Sequence, residues 1–222
     1  MDGEVVDTKQ KILYAALDLF SQRGYAAVSV RDIARAVGIK ESSLYNHYEN
    51  KRDIYASIIA VCAARGEEMA YSLQLTDGGK QYVVDERIRA LYRNITLEQF
   101  LRIGEAMFDY YFADELNVKL RRMLTIAQFQ DADSARLYRT HAFDLALQYQ
   151  TELFAALMEE GVFLKGDPGT LALSFYAPIF LLSCKFDATP EGQATAKAQL
   201  FRHLEQFYRT YGLPGRKEEE IQ

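Results

Sequence analysis

Six side chains able to donate or accept hydrogen bonds fall within eight residues: Lys40, Ser42, Ser43, Tyr45, Asn46 and His47. Leu44 and Tyr48 lie among them at a spacing of four, so a short helix here turns those two toward a core and the polar set outward. Such donors reach phosphate oxygens and base edges of a duplex. Glu41 is the odd member of the run. Its carboxylate either favours the positive end of a helix or accepts a hydrogen bond from a cytosine N4 amino group.

The neighbouring residues supply the elements that would hold this set. Ser29 is suited to cap a helix. Val30, Ile33, Ala34 and Val37 then fall on one face, and Gly38 allows the left-handed stop that a helix end needs. A second short helix begins near Lys40 or Glu41. Two short helices joined by a tight glycine turn make a helix-turn-helix; the alternative is an ordinary three-helix bundle with an exposed Tyr and His. Ahead of it, Ile12, Leu13, Ala16, Leu19 and Phe20 make the apolar stripe of a first helix over 8–23. Behind it, Asn50 is a candidate cap for a helix over 51–75, roughly 38 Å long at 1.5 Å per residue. Lys51 stands at that helix's N-terminus, where the dipole and free N–H groups favour phosphate.

Taken together, Ile12, Leu13, Ala15, Ala16, Leu19, Phe20, Gly24, Tyr25, Ser29, Val30, Ile33, Ala34, Gly38, Ser43, Leu44, Tyr45, His47, Tyr48 and Lys51 resemble the signature of the TetR repressor family. The resemblance runs to about Tyr55. Lys40 and Glu41 stand where the family usually has Ser or Thr, which bears on the operator sequence, and Tyr48 stands where Phe is usual. The resemblance implies that Tyr45, His47 and Lys51 touch the DNA backbone. Ser29 is counted with the DNA-binding set, and Lys40, Ser42, Ser43 and Asn46 are left as candidates for base edges. It also implies a ligand-responsive transcriptional regulator, of the repressor kind. Such a protein binds an inverted-repeat operator in double-stranded DNA as a dimer and is released by a small-molecule inducer.

Charge alone does not announce a DNA-binding protein. The 222 residues carry a formal net charge of -5. Residues 1–65 hold nine basic and eight acidic groups against 17 and 23 in the remainder, so binding must rest on a few well-placed donors. Enzyme chemistry finds little support: His47, His141 and His203 are scattered, and no metal spacing, phosphate loop or nucleophile motif occurs. No catalytic residue, metal or cofactor is expected. Cys62 and Cys184 are read as small buried hydrophobes. The start carries no signal-peptide pattern, and no apolar run approaches the ~20 residues that span a membrane. The expected setting is cytoplasmic.

The fold class expected is all-α. A three-helix helix-turn-helix domain over 1–52 is joined by the long helix to a larger helical domain over 53–222, for ligand binding and dimerisation. After a turn at 76–80, helices are expected over 85–93, 96–112, 115–129, about 131–160, 168–186 and 190–211, with a charged tail after Gly212. Pro178 should disturb the 168–186 helix. Phe100, Phe108, Tyr111, Phe129, Tyr138, Phe143, Tyr149, Phe154 and Tyr176 exceed what a minimal core needs and suit an apolar cavity lined by tyrosine hydroxyls. Phe108, Tyr111, His141, Phe143 and Tyr176 are the ligand candidates, for an effector that is largely apolar. The last two helices are apolar beyond what one body covers easily, with Leu200 and Leu204 in the second stripe. Two such pairs would make a four-helix homodimer interface.

Overall fold

Local signals decide where most helices start. In the computed structural model, which describes residues 7–72, 84–130, 132–186 and 189–213, the Ser29 side chain accepts a hydrogen bond from the Asp32 amide. Asn50 accepts from Asp53 (3.0 Å), Thr96 from Gln99 (3.2 Å), Asp167 from Thr170 (2.6 Å) and Thr189 from Gly192 (3.0 Å). Each side chain thereby satisfies an amide that the first helical turn leaves without a partner. The helices are α1 (Thr8–Arg23), α2 (Val30–Val37), α3 (Glu41–Leu44), α4 (Lys51–Ser72), α5 (Glu86–Arg93), α6 (Leu97–Phe108), α7 (Glu115–Ala127), α8 (Ala132–Arg139), α9 (Leu145–Glu159), α10 (Pro168–Lys185) and α11 (Pro190–Tyr211). An isolated antiparallel bridge between Phe163 and Gly212 accompanies this all-α architecture. The expected turn at 76–80, the end of the fourth helix near Leu75 and the tail beyond residue 213 lie outside the described residues.

Two helices differ from expectation in their regularity. The 96–112 helix ends in a π-helical turn, Asp109–Ala113, closed by the Asp114 amide on the Asp109 carbonyl (2.8 Å). The wider turn accompanies a stack of Phe112 on Phe108, with centroids 4.6 Å apart and planes 9° apart. The expected 131–160 helix is interrupted by a second π-helical turn, Thr140–Asp144, between α8 and α9. There the Tyr176 hydroxyl donates to the Ala142 carbonyl (2.6 Å).

The chain forms two compact units. One comprises residues 1–66 with 115–139, the other 67–114 with 140–222. The boundary expected after Arg52 therefore falls in the first turn of α4, whereas the contacts divide α4 after Gly66 and assign α7 and α8 to the first unit. Ile12, Leu17, Phe20, Ile33, Leu44 and Ile54 share its core with Leu120, Met123 and Leu124 of α7. A Cβ on Gly24 would lie 2.9 Å from Ile126, so the end of α1 lies close against α7. Lys119 of α7 pairs with Asp18 of α1.

The second unit is built on aromatic contacts. Phe154, Phe175 and Phe207 meet at centroid distances of 5.0 to 5.6 Å. Gly104 lets α6 approach α11 closely, because a Cβ there would clash with Leu204. Leu200 and Leu204 are completely buried within the single chain. This corrects their assignment to a subunit interface: the stripe they belong to faces the chain's own core. Phe129 and Tyr138 belong to the first unit, so neither lines a cavity of the second; Phe129 is 86% exposed. Cys62 is buried as expected, while Cys184 is exposed.

Leu204→Ala should cost the fold about 2–5 kcal/mol through the cavity it leaves, read as a lower urea midpoint. A variant of unchanged stability that sediments as a folded monomer would contradict this placement.

Candidate functional site

The helix-turn-helix is assembled by short-range bonds on three sides. Ser29 and Asp32 form a reciprocal box: the Ser29 hydroxyl oxygen accepts from the Asp32 amide (3.1 Å), and the Asp32 carboxylate accepts from the Ser29 amide (2.9 Å) and hydroxyl (2.6 Å). Those bonds from Ser29 hold the Asp32 carboxyl below its ordinary range, and Arg23 and Arg35 add to the effect. At the other end of α2, Gly38 is left-handed (φ 77°, ψ 27°), and the Ile39 amide returns to the Ala34 carbonyl (3.0 Å). A side chain with a Cβ is strained in that conformation. The chain then enters α3 with Leu44 fully buried beneath it and Tyr48 buried behind, its hydroxyl on the Lys9 carbonyl (3.1 Å).

This leaves the polar run outside. Lys40, Glu41, Ser42 and Asn46 are exposed, Tyr45 is 48% exposed, and Ser43 and His47 are half-buried. Six residues expected to face a duplex thus share one outer surface, with hydroxyl, amide, imidazole and ammonium groups on it. Ser29 lies exposed at the start of α2.

Lys51 sits differently. Its ammonium donates to the carbonyls of Tyr25 (2.9 Å) and Val28 (2.8 Å) and lies 4.2 Å from the centre of the Tyr25 ring. Burial pushes its pKa down. The Tyr25 ring packs in turn on Phe20 (5.3 Å) and Tyr55 (5.1 Å). The first residue of α4 therefore ties down the loop from which α2 departs. Sequence gave no sign of this, because the acceptors are backbone carbonyls 23 and 26 positions away.

A family model for the DNA-binding segment, "Bacterial regulatory proteins, tetR family", matches residues 12–58. Residues 12–58 are a TetR-family DNA-binding segment. The biofilm operon icaADBC HTH-type negative transcriptional regulator IcaR of Staphylococcus epidermidis is 37% identical over 97 residues, covering 38% of this chain and 51% of that protein. IcaR of Staphylococcus aureus is 43% identical over 54 residues, 24% of this chain and 29% of that one. The chain thus spans about half the length, or less, of these relatives. Over the whole chain the fold is that of TetR-family structures. A regulator from Mesorhizobium loti superposes with a TM-score of 0.61 at 17% identity, covering 96% of this chain and 100% of that one. SmeT, the repressor of the Stenotrophomonas maltophilia multidrug efflux pump SmeDEF, superposes in its triclosan complex with a TM-score of 0.58 at 21% identity, covering 97% and 99%.

The ligand candidates lie in the second unit, and the structure brings three of them together. Tyr111 meets Tyr176 (6.3 Å), Tyr176 meets Phe180 (6.4 Å) and Phe180 meets Phe143 (4.7 Å). Phe180, the link between the last two, was not singled out from sequence. Phe108 stands apart from this chain of rings, stacked on Phe112 with the Lys197 ammonium 5.7 Å from its centre. His141 is half-buried in the second π-helical turn, and burial pushes its pKa down, so the ring is neutral at neutral pH. Among the described residues no cluster of His, Cys, Asp or Glu could hold a metal ion, and no helix is long and apolar enough to cross a membrane.

Lys51→Met keeps the apolar stem and removes the donors. It should lower the unfolding free energy by ~1–2 kcal/mol, since two carbonyls lose a charged partner at a partly wet site. Chemical denaturation followed by circular dichroism measures this; an unchanged midpoint would show that the clamp contributes nothing.

Proposed function

We propose that the chain is a dimeric, ligand-responsive repressor that reads an inverted-repeat operator with α3 and is released by a small molecule held in its second unit. The observation that carries the DNA reading is the outer surface of the helix-turn-helix, where Lys40, Ser42, Ser43, Tyr45, Asn46 and His47 are displayed over a fully buried Leu44. Tyr45, His47 and Lys51 are assigned to the phosphate backbone and Lys40, Ser42, Ser43 and Asn46 to base edges, with Ser29 contributing from the start of α2. An ammonium group has three donors, and two of those on Lys51 go to carbonyls, so at most one serves a phosphate. We assign DNA reading to residues 1–52 and ligand binding with dimerisation to 53–222; α7 and α8, though later in the chain, support the reading unit. That IcaR is a negative transcriptional regulator and SmeT the repressor of an efflux pump supports repression. SmeT's complex with triclosan supports a small-molecule effector. The working compartment is the cytoplasm, where the operator is.

The test is a gel shift with DNA from upstream of the protein's own gene. Tyr45→Ala should weaken binding evenly across operator variants, whereas Lys40→Ala should change the preferred base at one position, a difference worth ~1–3 kcal/mol. Equal losses from both substitutions on every variant would contradict the division of roles. Absence of any retarded band at micromolar protein would sink the reading.

Dimerisation is assigned to the last two helices, through the face that the chain leaves uncovered. On α10, Leu173 is 56% and Leu181 62% exposed, with Ala177 and Cys184 exposed on the same stripe. Apolar surface of this kind marks an interaction site, and an isologous pair of such helices buries it symmetrically. Leu173→Glu with Leu181→Glu should give folded monomers in sedimentation velocity. A wild-type protein that sediments as a monomer at micromolar concentration would refute the assignment.

A further inference from the structure

Three polar side chains are buried among the described residues: Ser21, Gln150 and Ser183. The two serines are satisfied by their own helices, Ser21 on the Asp18 carbonyl (2.9 Å) and Ser183 on the Phe180 carbonyl (2.8 Å). Gln150 is different. It is 7% exposed, in the middle of α9, and its side-chain carbonyl oxygen is buried without a hydrogen-bond partner. Leaving a buried acceptor unpaired is unfavourable, and a leucine of nearly the same volume would avoid the penalty. A core designed only for packing has no use for a carboxamide here.

The surroundings indicate what the oxygen serves. Gln150 lies on α9 four residues before Phe154, on the same helix face, and Phe143 precedes the helix in the π-helical turn. Both flanking rings meet α10: Phe143 packs on Phe180 at 4.7 Å and Phe154 on Phe175 at 5.6 Å. The stretch of α10 opposite holds Tyr176, bonded to the Ala142 carbonyl, and the buried Ile179. Three interruptions of regular helix gather at the same rings. The π-helical turn Asp109–Ala113 carries Tyr111, the π-helical turn Thr140–Asp144 carries Phe143, and Pro178 lies between Tyr176 and Phe180 within α10. Wide turns of this type concentrate at functional sites, and a proline inside a helix removes one of its donors. An apolar, ring-lined region with one fixed polar atom is how a small-molecule site is composed.

We propose that Gln150 is the polar anchor of the effector site, and that the effector is a small, uncharged, largely aromatic molecule that gives one hydrogen bond, from a hydroxyl or an amide N–H, to the Gln150 side-chain carbonyl. This rests on the reading that the second unit receives an effector. The absence of charge follows from the company Gln150 keeps: no charged side chain is among the buried residues described, and an unpaired charge brought there would be far more unfavourable than a neutral donor. Gln150 contacts the ligand; Tyr176 holds the π-helical turn in place through the Ala142 carbonyl.

The test measures binding to the full-length protein without DNA, by calorimetry, using 2-naphthol and naphthalene as probes that differ by one hydroxyl. The wild-type protein should hold 2-naphthol about tenfold or more tighter than naphthalene, the effect of pairing a buried acceptor. Gln150→Leu should abolish that preference, and the empty variant should unfold at a higher denaturant concentration than wild type. Gln150→Met provides a second apolar variant if the leucine packs poorly. Equal affinities in the wild type, an unchanged preference in both variants, or binding of neither probe at ~1 mM would overturn the proposal. So would a marked loss of stability in both variants, which would mean that the carboxamide has a structural partner. A parallel gel shift with 2-naphthol separates this from the regulatory reading. Operator release that persists in Gln150→Leu refutes the anchor and leaves induction standing; binding that depends on Gln150 yet leaves the operator occupied refutes induction by this site and leaves the anchor standing.

Discussion

The Lys51 ammonium, held by the carbonyls of Tyr25 and Val28, is the interaction on which the reading unit depends. Backbone carbonyls in a loop must find donors, and here the loop joins two helices whose relative angle sets the whole motif. Water could satisfy those carbonyls, but water would not fix the loop against the start of α4. A lysine at that start does both, and the Tyr25 ring beneath the ammonium adds an attraction that water does not screen fully. Ser29 follows directly from that loop, so the capping box of α2 is built on a base that Lys51 has positioned. Through Gly38 the same constraint passes to α3, whose donors project from a helix of four residues too short to orient itself.

A second constraint operates on the other side of the motif. The core of α1 to α3 is small, and Leu120, Met123 and Leu124 of α7 complete it. Lys119 on Asp18 and the close approach of Ile126 to Gly24 bind α7 to α1 along its length. A domain of roughly 50 residues alone buries too small a fraction of its surface to be comfortably stable. Recruiting α7 from later in the chain resolves this, and makes it part of the DNA-reading unit in physical terms although no motif places it there.

Sequence legibility follows the range of the interaction. The starts of α2, α4, α6, α10 and α11 were readable because each depends on a capping side chain and an amide three positions away. The left-handed stop at Gly38 was readable for the same reason. The outer set from Lys40 to His47 was readable because Leu44 and Tyr48 fix which side is inward. What was not readable depends on partners distant in sequence. An apolar stripe on α11 does not reveal whether its neighbour is α6 of the same chain or a second subunit, and Leu200 and Leu204 were placed on the wrong side of that choice. The two π-helical turns were hidden because no local motif marks them; they coincide with the stack of Phe112 on Phe108 and with the bond of Tyr176 to the Ala142 carbonyl. Gln150 escaped notice because a glutamine within a helical stripe looks like an edge residue until its burial is known.

The positions of the π-helical turns give the irregular helices a meaning beyond packing. The chain passes between the two units within α4 after Gly66, at Asp114, and at Arg139. The turn Asp109–Ala113 ends at the second passage, and Thr140–Asp144 begins at the third. A π-helical turn holds one more residue than the α-helix around it, and converting it to α geometry shifts everything on one side by about a residue of rotation and rise. Coupling between sites requires an element with two discrete arrangements, and interconversion of π and α geometry at these turns would supply one. Tyr111 and Phe143, the rings proposed to receive an aromatic effector, are carried on these two turns. A ligand that packs better against one arrangement than the other would bias it by the difference in its affinities and by no more. The chain links the two units three times, once within α4 and twice beside a π-helical turn.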